Sequence, residues 1–435
     1  MFKGAVLRYL ISDALSMLGN SIAGVVLPLV LLARTGDVLA AGSLALICAV
    51  PQFVFGLLGG AVLDRVDRKL VCVVSDLVSA LSIALLPIVD EVWGLSFGWF
   101  VALGLLGAVG DVPGMTARDA LLPAVCRHEG VDLQRFVGAS QSLASLTTIA
   151  GPAAAALLMG TLGDIDALWV TAACSCLASA VSATLPREVG TVGASASGDV
   201  SEASRATGFS ALASAARSAL TDGLKALFGT DALLRASVLL SFGITMVMGS
   251  WQGIVLPAYF SRIAQPELAG YVISAMGAGM LAGSIGYTAV ARLLSRRAWL
   301  VVSLIGMAAG VATMGVFPAV PVLLAGAAAV GLFAGPASAL LGFFAFDRVS
   351  DERRGSAMGT LNALYLVVAP VGTFMGSALL SALDLKGTGI ALTAAWIVVT
   401  VAALVAPALR DLGDARGAGV VQQGSRETVP CEECE

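Results

Sequence analysis

Gly60-Ala61-Val62-Leu63-Asp64-Arg65-Val66-Asp67-Arg68-Lys69 interrupts what would otherwise be one apolar run from residue 38 to residue 89. Five of the six residues from Asp64 to Lys69 are charged. Val38 to Leu63 contains no Asp, Glu, Lys or Arg, and Leu70 to Val89 contains only Asp76. A helix needs about 20 apolar residues to cross the hydrocarbon of a bilayer. Each flank is long enough for one crossing, so the stretch is a charged turn between two spans, 38–62 and 70–89.

The same alternation of apolar runs and short charged breaks continues in both directions. It predicts an all-α, polytopic membrane protein with twelve transmembrane helices. The first six are 8–33, 38–62, 70–89, 95–116, 135–160 and 166–185. The second six are 234–260, 268–291, 299–317, 321–346, 356–382 and 388–408. The composition agrees, with 58% hydrophobic and 12% charged residues in 435 and a mean hydropathy of +0.91. A soluble domain carries about 25% charged residues, so an ordinary soluble globule, a disordered chain and a nucleic-acid binder are excluded. A net charge of −4 offers no basic footprint for a polyanion. Seven cysteines are too few and too scattered for a disulfide scaffold. Lys3 and Arg8 precede an apolar run in the manner of a signal peptide, but the run contains Asp13 and is too long, so it reads as a retained first span.

Orientation follows from Lys and Arg, which are held on the cytoplasmic side. With twelve spans, 22 of the 25 Lys and Arg fall on the side of the two termini, and only Arg34, Arg262 and Lys386 fall on the other. The expected location is the inner (plasma) membrane, with multiple passes and both termini cytoplasmic.

The two halves read as copies. Gly24-Val25-Val26-Leu27-Pro28 pairs with Gly253-Ile254-Val255-Leu256-Pro257, Gly104-Leu105-Leu106 with Gly331-Leu332-Phe333, and Gly151-Pro152 with Ala369-Pro370. All three offsets are close to half the chain. Six spans per copy put the copies in the membrane in parallel, the arrangement of a transporter that rocks two bundles about a midplane site. The expected domains are a six-helix bundle at 1–185, a cytoplasmic linker at 186–232, a second bundle at 233–409 and a cytoplasmic tail at 410–435. Residues 190–208 are rich in Gly, Ser, Ala and Thr and read as flexible chain. From Phe209 to Phe228 apolar residues recur at helical spacing. That helix either lies on the membrane face or packs on the protein itself.

With its position between spans 2 and 3, the stretch from Gly60 to Lys69 resembles the G-x-x-x-D-R-x-G-R-[RK] loop of the major facilitator superfamily, with Asp67 where the family usually has Gly. Ala117-Arg118-Asp119-Ala120-Leu121-Leu122-Pro123, the run from Asp222 to Arg235, and Arg354-Gly355-Ser356-Ala357-Met358-Gly359 are similar to its macrolide-efflux and enterobactin-exporter branch. The resemblance implies a gating role for Gly60, Asp64, Arg65, Arg68 and Lys69. Asp64 and Arg68 would join a charge cluster that latches the halves in the outward-facing state, with Asp119 or Asp111 as acidic partner. Asp64 also follows a helix C-terminus, where the helix dipole disfavours an anion and calls for compensation. Family antiporters carry G-x-x-x-G-P-x-x-G-G in span 5. Here Gly151 and Pro152 keep its centre as a packing and kink site, while Thr147 and Ala155-Ala156 replace the flanking glycines.

Ionisable residues inside a membrane are functional candidates by default. The second half contains none from Val238 to Phe260 or in the interiors of its other spans, and the span interiors of the first half contain Asp13, Asp76 and Asp111. At 1.5 Å per residue all three are expected about 8–10 Å from the cytoplasmic boundary. They are the candidates for proton coupling. Asp13 leads because span 1 lines the cavity in family members, whereas Asp76 and Asp111 read first as structural partners of Arg8, Arg65, Arg68 or Arg118. Asn20, Gln52, Gln141, Trp251, Gln252, Asn362 and Tyr365 are the uncharged candidates for the substrate cavity. Such a cavity suits a bulky amphipathic or cationic organic molecule.

No phosphate-binding G-x-x-x-x-G-K-[ST] loop occurs, and the single His128 leaves no His-based metal site. Gly277, Gly279 and Gly283 read as helix packing. Cys431 and Cys434 form a lone CxxC in the tail. The expected function is a secondary active transporter, not an enzyme, which exports a drug or natural product by proton antiport with alternating access. A siderophore or metabolite exporter and a non-transporting sensor or scaffold are the alternatives. The expected partners are a small-molecule substrate, protons and the lipid bilayer, with no nucleic acid, no cofactor and no metal, and the chain is expected to act as a monomer.

Overall fold

The computed structural model describes residues 4–63, 66–190, 209–229, 231–291, 293–347, 349 and 351–410. The first half contains α1 (Gly4–Thr35), α2 (Val38–Leu63), α3 (Arg68–Trp93), α4 (Phe97–Glu129), α5 (Leu133–Leu162) and α6 (Ala167–Ala183). The short α7 (Arg187–Gly190) and the linker helix α8 (Phe209–Phe228) follow. The second half contains α9 (Ala232–Ser250), a π turn (Trp251–Val255), α10 (Leu256–Arg262), α11 (Leu268–Val290), α12 (Arg296–Gly315), α13 (Val320–Asp347), α14 (Asp351–Ala382), α15 (Leu385–Val405) and α16 (Pro407–Arg410). The described residues contain no strand.

All twelve predicted spans are helices, with α9, the π turn and α10 forming span 7. Eleven are long and apolar enough to cross a membrane. The twelfth, α6, is apolar and has 17 residues; at about 26 Å it is close to the ~30 Å of a hydrocarbon core. The chain is a multi-pass membrane protein. Apolar side chains face outward at helical spacing, among them Leu70, Val74, Leu77 and Leu81 on α3 and Ile390, Ile397, Val401 and Val405 on α15.

Helix starts follow their capping residues. Asp231 accepts hydrogen bonds from the Leu233 and Leu234 amides at 2.8 and 3.2 Å, and Asp384 accepts one from Gly387 at 2.6 Å. Asp67 caps α3 by accepting from the Lys69 and Leu70 amides at 2.9 and 3.2 Å. The residue that departs from the family loop therefore has a local task. The π turn has its cause four residues after its glycine: Pro257 has no amide hydrogen and its ring crowds the carbonyl at Gly253, and the helix widens so that Leu256 bonds back to Trp251. The matching Gly24–Pro28 in α1 stays α-helical.

The internal repeat is visible in the packing. α2 packs on α4 as α11 packs on α13, and α3 packs on α6 as α12 packs on α15. The halves meet along two equivalent seams, α2 against α14 and α11 against α5. Cβ atoms at Gly279 and Gly283 would overlap main chain of α13, at Ala328 and Leu332. These glycines let α11 and α13 touch backbone to backbone, as small-residue packing requires. Gly151 is closed in by Ser21 of α1, within the first half, and the carbonyl of Pro152 abuts Gly270 of α11 on the seam.

The two ends of the molecule differ. At the end away from the termini, Leu32 and Val38 of the first half pack with Ala258, Leu380 and Leu385 of the second. At the termini end the buried clusters belong to one half each. Val6, Tyr9, Cys72, Leu121 and Phe136 form one, and Leu227, Leu234, Val349 and Leu361 form the other. Leu227 at the end of α8 is fully buried in the second, so the linker helix packs on the protein through its last turn.

One boundary is corrected. Span 4 was expected to end at residue 116, but α4 continues to Glu129. Arg118 therefore sits about 16 Å inside the helix end, and Asp111 lies near mid-helix, about 21 Å from Phe97. Ala117, Leu121, Val125 and Cys126 continue the buried stripe of α4 past Arg118, and packing carries the helix on despite its charges.

Candidate substrate cavity

α1, α2, α3, α4 and α5 enclose a cavity of about 700 Å³, to which α14 contributes only Leu366 and Pro370. That volume lies within the range of drug-sized pockets. Its far end is apolar, with Leu31, Leu86, Phe100 and Leu103; its termini end is charged, with Asp13, Arg118 and Asp119.

Arg118 is the centre of the charged end. Its side chain is 9% exposed, its Nη2 pairs with Asp76, and its Nε lies 3.9 Å from Oδ1 of Asp13. Its Nη1 donates to the Ser16 hydroxyl at 2.9 Å, and Ser16 donates to Asp76 at 3.0 Å. Ser140 of α5 donates to Asp13 at 3.3 Å. From behind, Tyr9 donates its hydroxyl to the Arg118 carbonyl at 3.1 Å and stacks edge-on against Phe136. Four helices thus hold one buried cluster of two carboxylates and a guanidinium, the paired condition that buried charges require. Asp111 stands apart: it lines the cavity and accepts a hydrogen bond from Ser79 of α3.

The expected residues divide by location. Asp13, Asp111, Asn20 and Gln52 line the cavity, and Asp76 lies behind it on Arg118. Asn362 and Tyr365 line a separate cavity of about 270 Å³ between α9, α13 and α14, together with Ser237, Ser241 and Thr245. Three expectations are corrected. Gln141 is solvent-exposed, because the cavity wall on α5 begins one turn later at Ala144. Trp251 is fully buried against Phe317, with ring centroids 5.8 Å apart, because the π turn swings it into the core of the second half. Its neighbour Gln252, half-buried, borders neither cavity.

Arg118, counted as a flanking loop charge and named only as one of four possible structural partners of the span acids, is the residue on which the cluster centres. Its signal was the seven-residue spacing from Asp111, two turns along the same helix face. In the charged loop, Arg68 donates to the Ala120 carbonyl at 3.4 Å, and Lys69 Nζ donates to the Leu185 carbonyl at 2.5 Å, past the end of α6. Both contacts lie within the first half. Gly60 lies on α2. Asp64, Arg65 and the pair Cys431 and Cys434 lie outside the described residues.

Two parallel six-helix repeats, the first of which holds a drug-sized cavity and, among the described residues, the buried ion pairs, define a membrane transporter of the two-bundle class. The chain belongs to the Major Facilitator Superfamily, whose family model matches residues 9–262 and 238–419. It is 29% identical over 415 residues to the "Multidrug efflux pump Tap" of Mycolicibacterium fortuitum, covering 94% of this chain and 97% of that protein. It is 26% identical over 413 residues to the "Multidrug efflux pump Tap" of Mycobacterium tuberculosis (strain H37Rv), covering 94% and 95%. A shorter match, 31% over 147 residues, covers 34% of this chain and 36% of the "Macrolide efflux protein A" of Streptococcus pyogenes. Among solved structures, the nucleoside transporter NupG has a similar fold, with a TM-score of 0.71 at 14% identity, covering 92% of this chain and 98% of that one. The protein is a transporter, not an enzyme.

Proposed function

We propose that this transporter exports amphipathic organic compounds from the cytoplasm by proton antiport, with Asp13 as the proton carrier. The observation that carries this reading is the placement of Asp13. It faces the cavity and lies 3.9 Å from an arginine that is already bonded to Asp76. When Asp13 takes a proton its attraction to Arg118 ends, and the guanidinium is left with Asp76 as its one charged partner. The change is felt at once on α1, α3, α4 and α5, which supply Asp13, Asp76, Arg118 and Ser140. Uptake of substrate from the cytoplasm goes with charged Asp13, and return goes with the protonated form. Halves that share apolar packing at one end and keep separate clusters at the other suit alternating access with the termini end open. The excess of Lys and Arg at that end supports a cytoplasmic position for it. The names of the relatives support efflux of drug-like compounds.

Reconstituted protein in proteoliposomes tests this. An imposed pH gradient should drive uphill substrate movement, and Asp13→Asn should abolish it while leaving gradient-free exchange intact. Uphill movement that persists in Asp13→Asn with unchanged pH dependence overturns the assignment.

A further inference from the structure

The smaller cavity, about 270 Å³, lies between α9, α13 and α14. With Gly24 matched to Gly253, Gly104 to Gly331 and Gly151 to Ala369, the repeat gives each of its residues a counterpart in the first half. Ser241 and Thr245 of α9 stand where α1 has Ser12 and Ser16. Ser338 of α13 stands where α4 has Asp111, and Asn362 of α14 stands where α5 has Ala144. The places of Asp13 and Arg118 are taken by Phe242 and Ala345. The cavity is the second half's copy of the corner that holds the ion cluster in the first, with hydroxyl and amide groups but no ions.

Among the described residues no charged side chain lines it. Val238, Leu341 and Leu361 form its buried wall, and Ser338, Gly342 and Asn362 form its exposed mouth. Beside Val238, Ser237 is 1% exposed, and its hydroxyl oxygen has no hydrogen-bond partner. One turn on, Ser241 donates to the Ser237 carbonyl at 2.9 Å, which leaves the Ser241 oxygen as an acceptor. A buried hydroxyl without a partner is costly, and an uncharged hydrogen-bonding group placed in the cavity removes that cost.

The two cavities share one face of α14. Asn362, Leu366 and Pro370 recur every four residues; the first lines the small cavity and the other two line the large one. Asn362 and Pro370 are about 12 Å apart along the helix, a distance that one elongated molecule spans.

We infer, resting on the export reading above, that the second-half cavity receives the uncharged, hydroxyl-bearing head of an exported molecule whose apolar body lies against Leu366 and Pro370 in the large cavity. The substrate class is an elongated amphipathic compound with a neutral polyhydroxyl head. Asn362 both donates to and accepts from such a head, and Ser237 gains the partner that the protein does not give it. The small volume, below the range of whole-ligand pockets, fits one end of a molecule. A charged head is disfavoured, because it would leave water without meeting a countercharge.

The test is equilibrium dialysis of the full-length transporter in lipid nanodiscs, with empty nanodiscs as the blank, against three probes built on one fluorescent coumarin. Methylumbelliferyl β-glucoside has a neutral hydroxylated head, the cyclohexyl ether of methylumbelliferone has a ring of the same size without hydroxyls, and methylumbelliferyl β-glucuronide adds a carboxylate. Asn362→Leu removes the amide at similar size. A Cβ at Gly342 meets no atom within 4 Å, so Gly342→Leu narrows the mouth with a side chain that a helix accepts readily. The native protein should bind the glucoside, and the glucuronide at least tenfold more weakly. Both variants should weaken the glucoside at least fivefold and change the ether less than twofold, and Ser237→Ala should weaken the glucoside alone by about threefold. Retained binding of the ether shows that the fold and the large cavity are intact. No glucoside binding by the native protein, native-like glucoside binding by Asn362→Leu and Gly342→Leu, or parallel loss of glucoside and ether in both overturns the inference. The dialysis uses no gradient, so absence of uphill transport in proteoliposomes would strike the export reading and leave these binding ratios unchanged.

Discussion

Ser274 of α11 donates its hydroxyl to the main-chain carbonyl of Ile149 on α5 at 2.7 Å, a hydrogen bond between the two halves. It lies one turn from Gly270, where the carbonyl of Pro152 comes so close that no Cβ fits. A polar pin and a backbone contact therefore share one seam. The pin should matter little by itself. Ser274→Ala removes a hydrogen bond of a kind worth about 0.6 kcal/mol inside membranes. Gly270→Val forces α11 away from α5. Thermal unfolding in detergent should show a small loss for the first and a severe one for the second, and accumulation of substrate in cells should follow the same order.

Arg118 and Asp76 are buried together, so removing one leaves the other uncompensated. Arg118→Gln should lower stability by about 3–5 kcal/mol, the cost of breaking a buried pair. Adding Asp76→Asn should return much of it. A double-mutant cycle on thermal or denaturant unfolding of the purified protein checks the coupling. A loss in the double variant equal to the sum of the two single losses would mean that the pair carries no net interaction.

Two acids in one loop should respond differently. Asp67 caps α3, and Asp67→Ala should cost about 1 kcal/mol with transport retained, whereas Asp67→Asn should be close to neutral. Asp64→Asn should leave the unfolding temperature in place and impair transport, as the latch implied by the family loop requires. Normal efflux by Asp64→Asn at normal expression removes the latch.

The proposed orientation, with both termini cytoplasmic, follows from the positive residues and is open to a labelling test. In a background without native cysteines, single cysteines at positions in 410–435 should resist a membrane-impermeant maleimide in intact cells and react after permeabilisation. Cysteines placed beside Arg34 or Lys386 should react in intact cells.

Span number, the two-copy plan and the confinement of membrane charge to the first half were legible in the sequence alone. Each depends on which residues hydrocarbon accepts, and that is a local property of composition. Asp67 shows the same at smaller scale, because a cap needs only its own next three amides. The cavity was legible only in part. Asp13, Asn20 and Gln52 line it as expected, but Trp251 does not, since whether a side chain faces core or cavity depends on helix rotation, and the π turn before Pro257 changes that rotation. Arg118 looked like a loop charge because an apolar window ends near it. The fold makes it a buried hub, since Asp13, Asp76 and Ser16 from α1 and α3 close on it with the countercharge and hydrogen bonds that an ion needs away from water. The sequence by itself determined that this chain spans the membrane as two like bundles. Only the tertiary structure decided which of its few charges meet, because ion pairs between helices depend on distances across packed faces.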